Sequence, residues 1–319
     1  MDHEVVWYHQ PNKQTKSIEM PSEESARKRH GARNQHKIKF FLRWLTQTFP
    51  SPLEAAYMGI NAQEEENSKA LNEHKVDMLD KEGTLNAGLV SEDNREVHTD
   101  PFFDGRLGSI ILDVAGGKGE LSARLSFCNN LRVVMVDPRP ADVVQCYEDV
   151  VFRGLPKKWQ TRLREKQASN PNILTQRLQE RFRQLTIYFD KETFANDPRL
   201  RKAVDSAELM IGIHADGATE AIIDVALQYG KPFVVVPCCV FPNFFPHRKL
   251  VRNGIPQAVR TYEDFCEYLL QKDPRLQRSI LPFEGRNIAI WWDGRSTGEF
   301  EAPQNVLLSS RCTFDDECA

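Results

Sequence analysis

Ile110-Ile111-Leu112-Asp113-Val114-Ala115-Gly116-Gly117-Lys118-Gly119-Glu120-Leu121-Ser122-Ala123-Arg124 is the stretch on which the fold of this chain turns. A short apolar run ends in Asp113, a turn rich in glycine follows (Gly116, Gly117, Gly119), and an amphipathic segment opens behind it. That succession reads as a buried strand, a tight turn and a helix start. A turn without side chains lets a ligand approach the backbone, and the free N–H groups of a helix start supply donors. The next apolar run, Leu131 to Val136, ends in Asp137. This acid stands about twenty residues downstream, where a carboxylate suits a ribose diol at the lip of a parallel sheet. The unit predicts a nucleoside-cofactor site.

Outward from this unit, apolar runs predict strands over residues 109–114, 132–137, 185–189, 208–214, 233–236 and 287–292. Helical spacing predicts helices over 118–127, 141–150, 200–206, 219–229 and 262–271. Strands that alternate with helices imply an α/β fold, a Rossmann-like, doubly wound and mostly parallel sheet that binds ligands at the carboxyl ends of its strands. Upstream, Ile38, Phe41, Leu42, Leu45 and Phe49 recur at helical spacing with Trp44 alongside, ahead of Pro50. The expected plan is a disordered tail over 1–32, an amphipathic helix packing on the core over 33–49, a polar linker or insertion over 50–106, the cofactor-binding domain over 107–293 and a loose tail over 294–319.

Composition narrows the class of protein. Seven cysteines, an odd number without repeating spacing, argue against a secreted disulfide framework. No apolar run is long enough to span a membrane, and the N-terminus carries Asp2 and Glu4 without an apolar signal region. The expectation is a soluble intracellular protein, cytoplasmic or nuclear. A net charge of -3 names no partner, but charge is unevenly spread. Basic residues crowd segments 27–43 and 153–183, the latter with Arg153, Lys157, Lys158, Arg162, Arg164, Lys166, Arg177, Arg181 and Arg183. Such runs can track a phosphate backbone or form a solvated helical face. A protein partner stays open.

The glycine turn admits two cofactor classes. The dinucleotide pattern G-x-G-x-x-G fits only loosely from Gly117, with Ser122 at its last position. The stretch Asp113, Ala115, Gly117 and Gly119 resembles motif I of the class I S-adenosylmethionine (SAM) methyltransferases, with Ala in place of the first Gly. A carboxylate beside the turn favours a cationic sulfonium and ammonium. Residues Ile213 to Glu220 and Val236 to Pro242 extend the resemblance to the group that includes the zinc-finger tRNA 2′-O-ribose methyltransferases. His214, Gly217, Thr219, Cys238 and Cys239 match that group's strand-end runs, whereas Asp216 stands where it has Cys and Glu220 where it has Asp. No zinc finger is recognisable in this chain.

The resemblance implies SAM as cofactor, bound by Asp113, Ala115, Gly116, Gly117, Gly119, Asp137 and, at the adenine, Asp190. It implies His214, Asp216 and Cys238 as catalytic candidates at the ends of strands four and five. Each has a plainer role: His214 as a strand cap, Asp216 as an Asx-turn or N-cap, and Cys238 or Cys239 as packing on opposite faces of a continuing strand. The spacing of His214, Cys238 and His247 matches no standard zinc site, so no metal is expected. Phe241 to Lys249 interleaves aromatics, prolines and basic residues, a stacking lip or a loop covering the sheet edge. The expected activity is SAM-dependent methyl transfer, with RNA (tRNA or rRNA) as the leading acceptor. A catalytically silent RNA-binding or assembly factor, a small-molecule methyltransferase and a dehydrogenase are the alternatives.

Overall fold

Alternation along buried strands divides the core into two layers. In β1 (Ile110–Val114) Ile110, Leu112 and Val114 face one side of the sheet and Ile111 the other. The computed structural model describes residues 37–57 and 109–295. After β1 come β2 (Val133–Val136), β3 (Phe182–Leu185), β4 (Ala207–Ile213), β5 (Phe233–Val236), β6 (Lys249–Arg252), β7 (Ile255–Ala258), β8 (Gln277–Ile280) and β9 (Ile288–Trp292). Seven of these form one sheet in the order β3-β2-β1-β4-β5-β9-β8, and β6 and β7 make a separate hairpin. Pairs from β3 through β5 are parallel, while β9 runs antiparallel to both β5 and β8. The doubly wound expectation is met, with β1 at the centre where the strand order reverses.

Helices cover both faces. On the first lie α6 (Lys191–Asn196), α7 (Pro198–Asp205), α8 (Thr219–Gln228) and α9 (Tyr262–Leu270), burying Phe194, Leu200, Val204, Ile222, Ile223 and Phe265 among others. On the second lie α1 (Lys37–Thr48), α2 (Glu120–Ala123), α3 (Val143–Cys146) and α5 (Ile173–Arg181). Both α2 and α3 continue as π-helical turns, to Cys128 and Val151. The amphipathic face of α1 buries Phe41, Trp44 and Leu45, and Trp44 meets Trp291 edge-on at 6.1 Å. Burial of such side chains stabilises by roughly 1.5–3 kcal/mol each, enough to hold a three-turn helix that would be marginal alone.

Several sequence expectations shift. The linker expected over 50–106 begins with a helical stretch over 50–57, whose Leu53 and Ala56 are buried against the same core as α1. The remainder, 58–106, lies outside the described residues, as do the tail 1–32 and nearly all of 294–319. The third strand is not 185–189 but Phe182–Leu185. As an edge strand it pairs only with β2, so Arg183 and Gln184 need no second apolar face. Gln184 instead donates to the carbonyls of Asp137 and Arg139 and accepts from the Ala141 N–H, tying β3 to the cofactor-side loop. Segment 153–183, read only as polar and basic, holds α4 (Lys157–Ser169) as well as α5; α4 has no buried residue and lacks the apolar stripe on which the periodicity rule depends. The hairpin β6–β7 and strand β8 are also additional.

Candidate functional site

The turn after β1 is built from backbone constraints. Ala115 has φ +57° and donates its N–H to the Val136 carbonyl at 2.7 Å, which locks the turn onto β2. A Cβ on Gly116 would stand 2.6 Å from Met135 and 2.9 Å from the Asp113 carboxylate, so a larger residue there would force these side chains to shift. Gly119 precedes α2 at φ +81°, left-handed backbone that glycine alone adopts without cost. Gly117 is different: a Cβ there would meet nothing within 4 Å. Its N–H donates to Asp137 Oδ2 at 2.9 Å. Ala115, Gly116, Gly117, Gly119 and Asp137 therefore converge on one lip at the carboxyl ends of β1 and β2.

Asp137 ends β2 at 1% exposure. The Arg139 N–H and Nε donate to its Oδ1 at 2.9 and 3.1 Å, and Arg139 Nη2 reaches Oδ2 at 3.3 Å. Burial pushes the Asp137 carboxyl up, but the Arg139 donors and the Gly117 N–H outweigh it and hold it below the usual range. The Arg139 side chain is 77% exposed. A diol seeking the carboxylate meets this guanidinium first. Arg139 went unnoticed in the sequence, although its place two residues after the acid is the signal that could have flagged it.

Asp113, like Asp137, is 1% exposed. Ser122 Oγ donates to its Oδ2 at 2.6 Å. Desolvation, with a smaller contribution from Asp137, lifts its pKa to about 6 against the Ser122 bonds. Asp113 can therefore favour a cation at the turn through its field and through the turn's shape. A raised carboxyl binds its proton more tightly in the folded state, so this group's contribution to stability grows as pH falls from about 6 toward 3.8 and is adverse at neutral pH. Asp113→Asn should raise stability at pH 7 by up to about 3 kcal/mol, from roughly two pKa units at 1.4 kcal/mol each. Urea melts at pH 7 and pH 4.5 check this: the gap between mutant and wild type should narrow at the lower pH, and an equal gap at both would refute the assignment.

Strand-end residues from β4 and β5 meet beside this lip. The His214 N–H donates to the Val236 carbonyl at 2.9 Å, joining the two strand ends. His214 and Asp216 both have positive φ, +53° and +47°. Desolvation, with Lys37 of α1 adding to it and Asp216 opposing, lowers the His214 pKa below its usual value. His214 is thus neutral at pH 7, and its Nδ1 is buried without a hydrogen-bond partner. The Cys238 thiol donates to Asp216 Oδ1 at 2.8 Å. Burial and the Asp216 carboxylate push Cys238 up to about 12, so it serves as a thiol donor rather than a nucleophile. Because β5 ends at Val236, residues 237–240 do not alternate as a strand would. The sulfurs of Cys238 and Cys239 consequently lie on the same side, near Asp216.

Asp190 also has a structural task. It is five residues beyond β3, and its carboxylate caps α6 by accepting the Thr193 N–H at 2.8 Å. In the loop between them Tyr188 is 68% exposed and Phe189 is buried. Tyr188 interacts electrostatically with Arg139.

The expected stacking loop divides. Phe244 is 79% exposed, but Arg248 is only 2% exposed. Its guanidinium is stacked 3.7 Å from the Phe245 ring and 4.6 Å from the Phe265 ring. It pairs with Glu220 at 2.8 Å and donates to the Val240 carbonyl at 2.9 Å. The Arg248 end of the basic run is a strut of the fold.

A central β1 with the order β3-β2-β1-β4-β5-β9-β8 and an antiparallel β9 decides the architecture. The fold is a Rossmann-like, doubly wound and mostly parallel sheet. No family model matches the sequence, and no curated protein matches it. Matches among solved structures are remote. The methyltransferase domain of a bacterial Hen1 protein, CtHen1-CN, is 12% identical, the match covering 57% of this chain and 89% of that one at a TM-score of 0.31. An rRNA methylase from Streptococcus thermophilus is 12% identical over 58% of this chain and 84% of its own, at a TM-score of 0.28. The C-terminal domain of precorrin-6Y C5,15-methyltransferase from Rhodobacter capsulatus is 14% identical over 58% and 79%, at a TM-score of 0.26. Among the described residues, no helix is long and apolar enough to cross a membrane.

Proposed function

We propose that the chain is a SAM-dependent methyltransferase whose acceptor is RNA. The observation that carries the cofactor is the lip at the switch point of the sheet, where Gly117, with open space in front of its Cα, donates its N–H to a buried, ionised Asp137. That donor set fits a ribose diol, and the Gly116–Gly119 turn in front of buried Asp113 fits a cationic amino-acid end. When bound, SAM supplies an electrophilic methyl group on its sulfonium. Tyr188, rather than the helix-capping Asp190, is the residue we place against the adenine. His214 orients the acceptor and takes its proton on the imidazole, which is neutral at pH 7. Asp216 acts beside it as the carboxylate that the Cys238 thiol holds in place.

RNA rests on two features. Helix α4 carries Lys157, Lys158, Arg162, Arg164 and Lys166 against the single acid Glu165, and buries none of its residues. Two exposed rings, Tyr188 and Phe244, follow β3 and β5 on the carboxyl edge, where unstacked bases can pack. A second reading, a silent methyltransferase-fold protein that binds RNA, is favoured by the hold of Arg139 on Asp137.

Calorimetric titration with SAM, S-adenosylhomocysteine and NADH, followed by tritiated-methyl transfer to total RNA, separates these readings. Binding of both adenosyl ligands with label in RNA is expected. His214→Ala should lower kcat by about 10²–10⁴ while leaving SAM affinity unchanged. RNA binding that persists without any adenosyl binding would replace the enzyme with the silent form.

A further inference from the structure

Asp216, Cys238 and Cys239 bring one carboxylate and two sulfurs within 4.8 Å of one another. We propose that these three side chains bind a single thiophilic divalent cation, zinc. The inference stands on geometry alone and does not depend on methyl transfer.

Three observations carry it. The spacing comes first. Zinc with bonds of about 2.3 Å to sulfur and about 2.0 Å to oxygen, in tetrahedral geometry, needs ligand atoms about 3.3–3.8 Å apart. A group already within 4.8 Å has about 1 Å to close to reach that spacing. The donors come second. Two thiolates select zinc or copper(I) over magnesium or calcium, and a carboxylate from the neighbouring loop completes a mixed set that zinc accepts.

Preorganisation is the third. The loops carrying the ligands are clamped by the His214 N–H to Val236 carbonyl bond and by Arg248, whose Nη1 holds the Val240 carbonyl one residue beyond Cys239. His214 and Asp216 hold left-handed backbone, and Phe241, just past the cysteines, does the same at φ +50°. Non-glycine residues keep such conformations only where the surroundings over-determine them, as around ligand sites.

The consequences follow from ligand count. Both thiols lose their protons on binding, so each ion taken up releases two protons, and the resulting charge of the three ligands is offset by the cation. Three protein ligands leave a fourth position, the pattern of sites that admit water or a substrate atom.

The test uses the full chain, reduced and stripped of metal with EDTA, then titrated with Co2+ and afterwards with Zn2+. One equivalent of Co2+ should give the intense visible bands of tetrahedral cobalt with a thiolate-to-cobalt charge-transfer band in the near ultraviolet, and one equivalent of Zn2+ should erase both. Cys239→Ser, at an exposed position that leaves folding intact, should abolish the charge-transfer spectrum or reduce the affinity at least tenfold. Cys238→Ser should behave alike, and Asp216→Asn should weaken Co2+ at least tenfold while keeping part of the charge-transfer band. Absence of a tetrahedral cobalt spectrum from the reduced wild type overturns the proposal. So does an unchanged spectrum in the Cys238→Ser, Cys239→Ser double variant, or thiol titration showing that the pair stays joined as a disulfide after reduction. These spectra are read without SAM, so loss of adenosyl binding and loss of metal are separate results.

Discussion

Asp137→Ala should weaken S-adenosylhomocysteine binding by ~100-fold or more in calorimetric titration. The ligand's two ribose hydroxyls would each donate to a carboxylate, and hydrogen bonds to a charged group are worth about 1.5 kcal/mol or more net. Two of them amount to about 3 kcal/mol, or two decades in affinity. Asp137→Asn, which keeps an acceptor for the Gly117 N–H, separates loss of the charge from collapse of the turn and should still cost about tenfold. The opposite sign is expected at Arg139. Its side chain is largely exposed and pairs with the same carboxylate, and such pairs are weak because solvent screens them. Arg139→Ala should leave the ligand without that competitor and tighten binding by about two- to fivefold. Unchanged affinity in Asp137→Ala would remove the ribose assignment. Weaker binding in Arg139→Ala would make Arg139 a ligand contact instead of a competitor.

Those two residues also mark what the sequence discloses. Asp137 was legible because a buried strand must end somewhere, and an acid at that end has few structural reasons to be there. The turn was legible because Gly116 and Gly119 answer local constraints, a 2.6 Å approach of Met135 to a Cβ at the first and left-handed backbone at the second. The central strands β1, β4 and β5 were readable for the same reason that they are central: both faces are covered, so their residues are almost uniformly apolar. Edge strands β3 and β8 carry Arg183, Gln184, Gln277 and Arg278 and give no such signal. Convergence was harder still. Alternation predicted Cys238 and Cys239 on opposite faces, and it failed because β5 stops two residues before them. The pairing of Asp216 with Cys238 across 22 residues, and of Glu220 with Arg248 across 28, depends on tertiary contacts with no periodicity to read.

Arg248 shows how large such an unread contact can be. Arg248→Ala should lower Tm by roughly 6–12 °C, taking about 3 kcal/mol at about 2–4 °C per kcal/mol for a domain of this size. The carboxylate of Glu220 is shared among Arg248 Nε and Lys272 Nζ, both at 2.8 Å, and the Tyr268 hydroxyl. Burial opposes its ionisation, yet the Lys272, Tyr268 and Arg248 donors bring its pKa down to about 2. A depressed carboxyl stabilises the fold above its unfolded pKa of 4.5 and loses that contribution as pH falls toward 2. The shift of roughly 2.5 units corresponds to about 3 kcal/mol. Removing Arg248 forfeits part of that, empties the space between Phe245 and Phe265, and releases the Val240 carbonyl. Arg248→Met keeps an unbranched chain between the two rings and should recover part of the loss, because Arg248 Nη2 is itself buried without a partner. Thermal melts of the two variants decide between packing and charge: an equal drop in both assigns the whole effect to the ion pair. The same strut holds the loop that carries Cys238 and Cys239, so Arg248→Ala should also weaken cobalt binding at a temperature where the fold is intact. A cobalt spectrum and affinity indifferent to Arg248 would show that the β4–β5 bond between His214 and Val236 suffices to place the ligands.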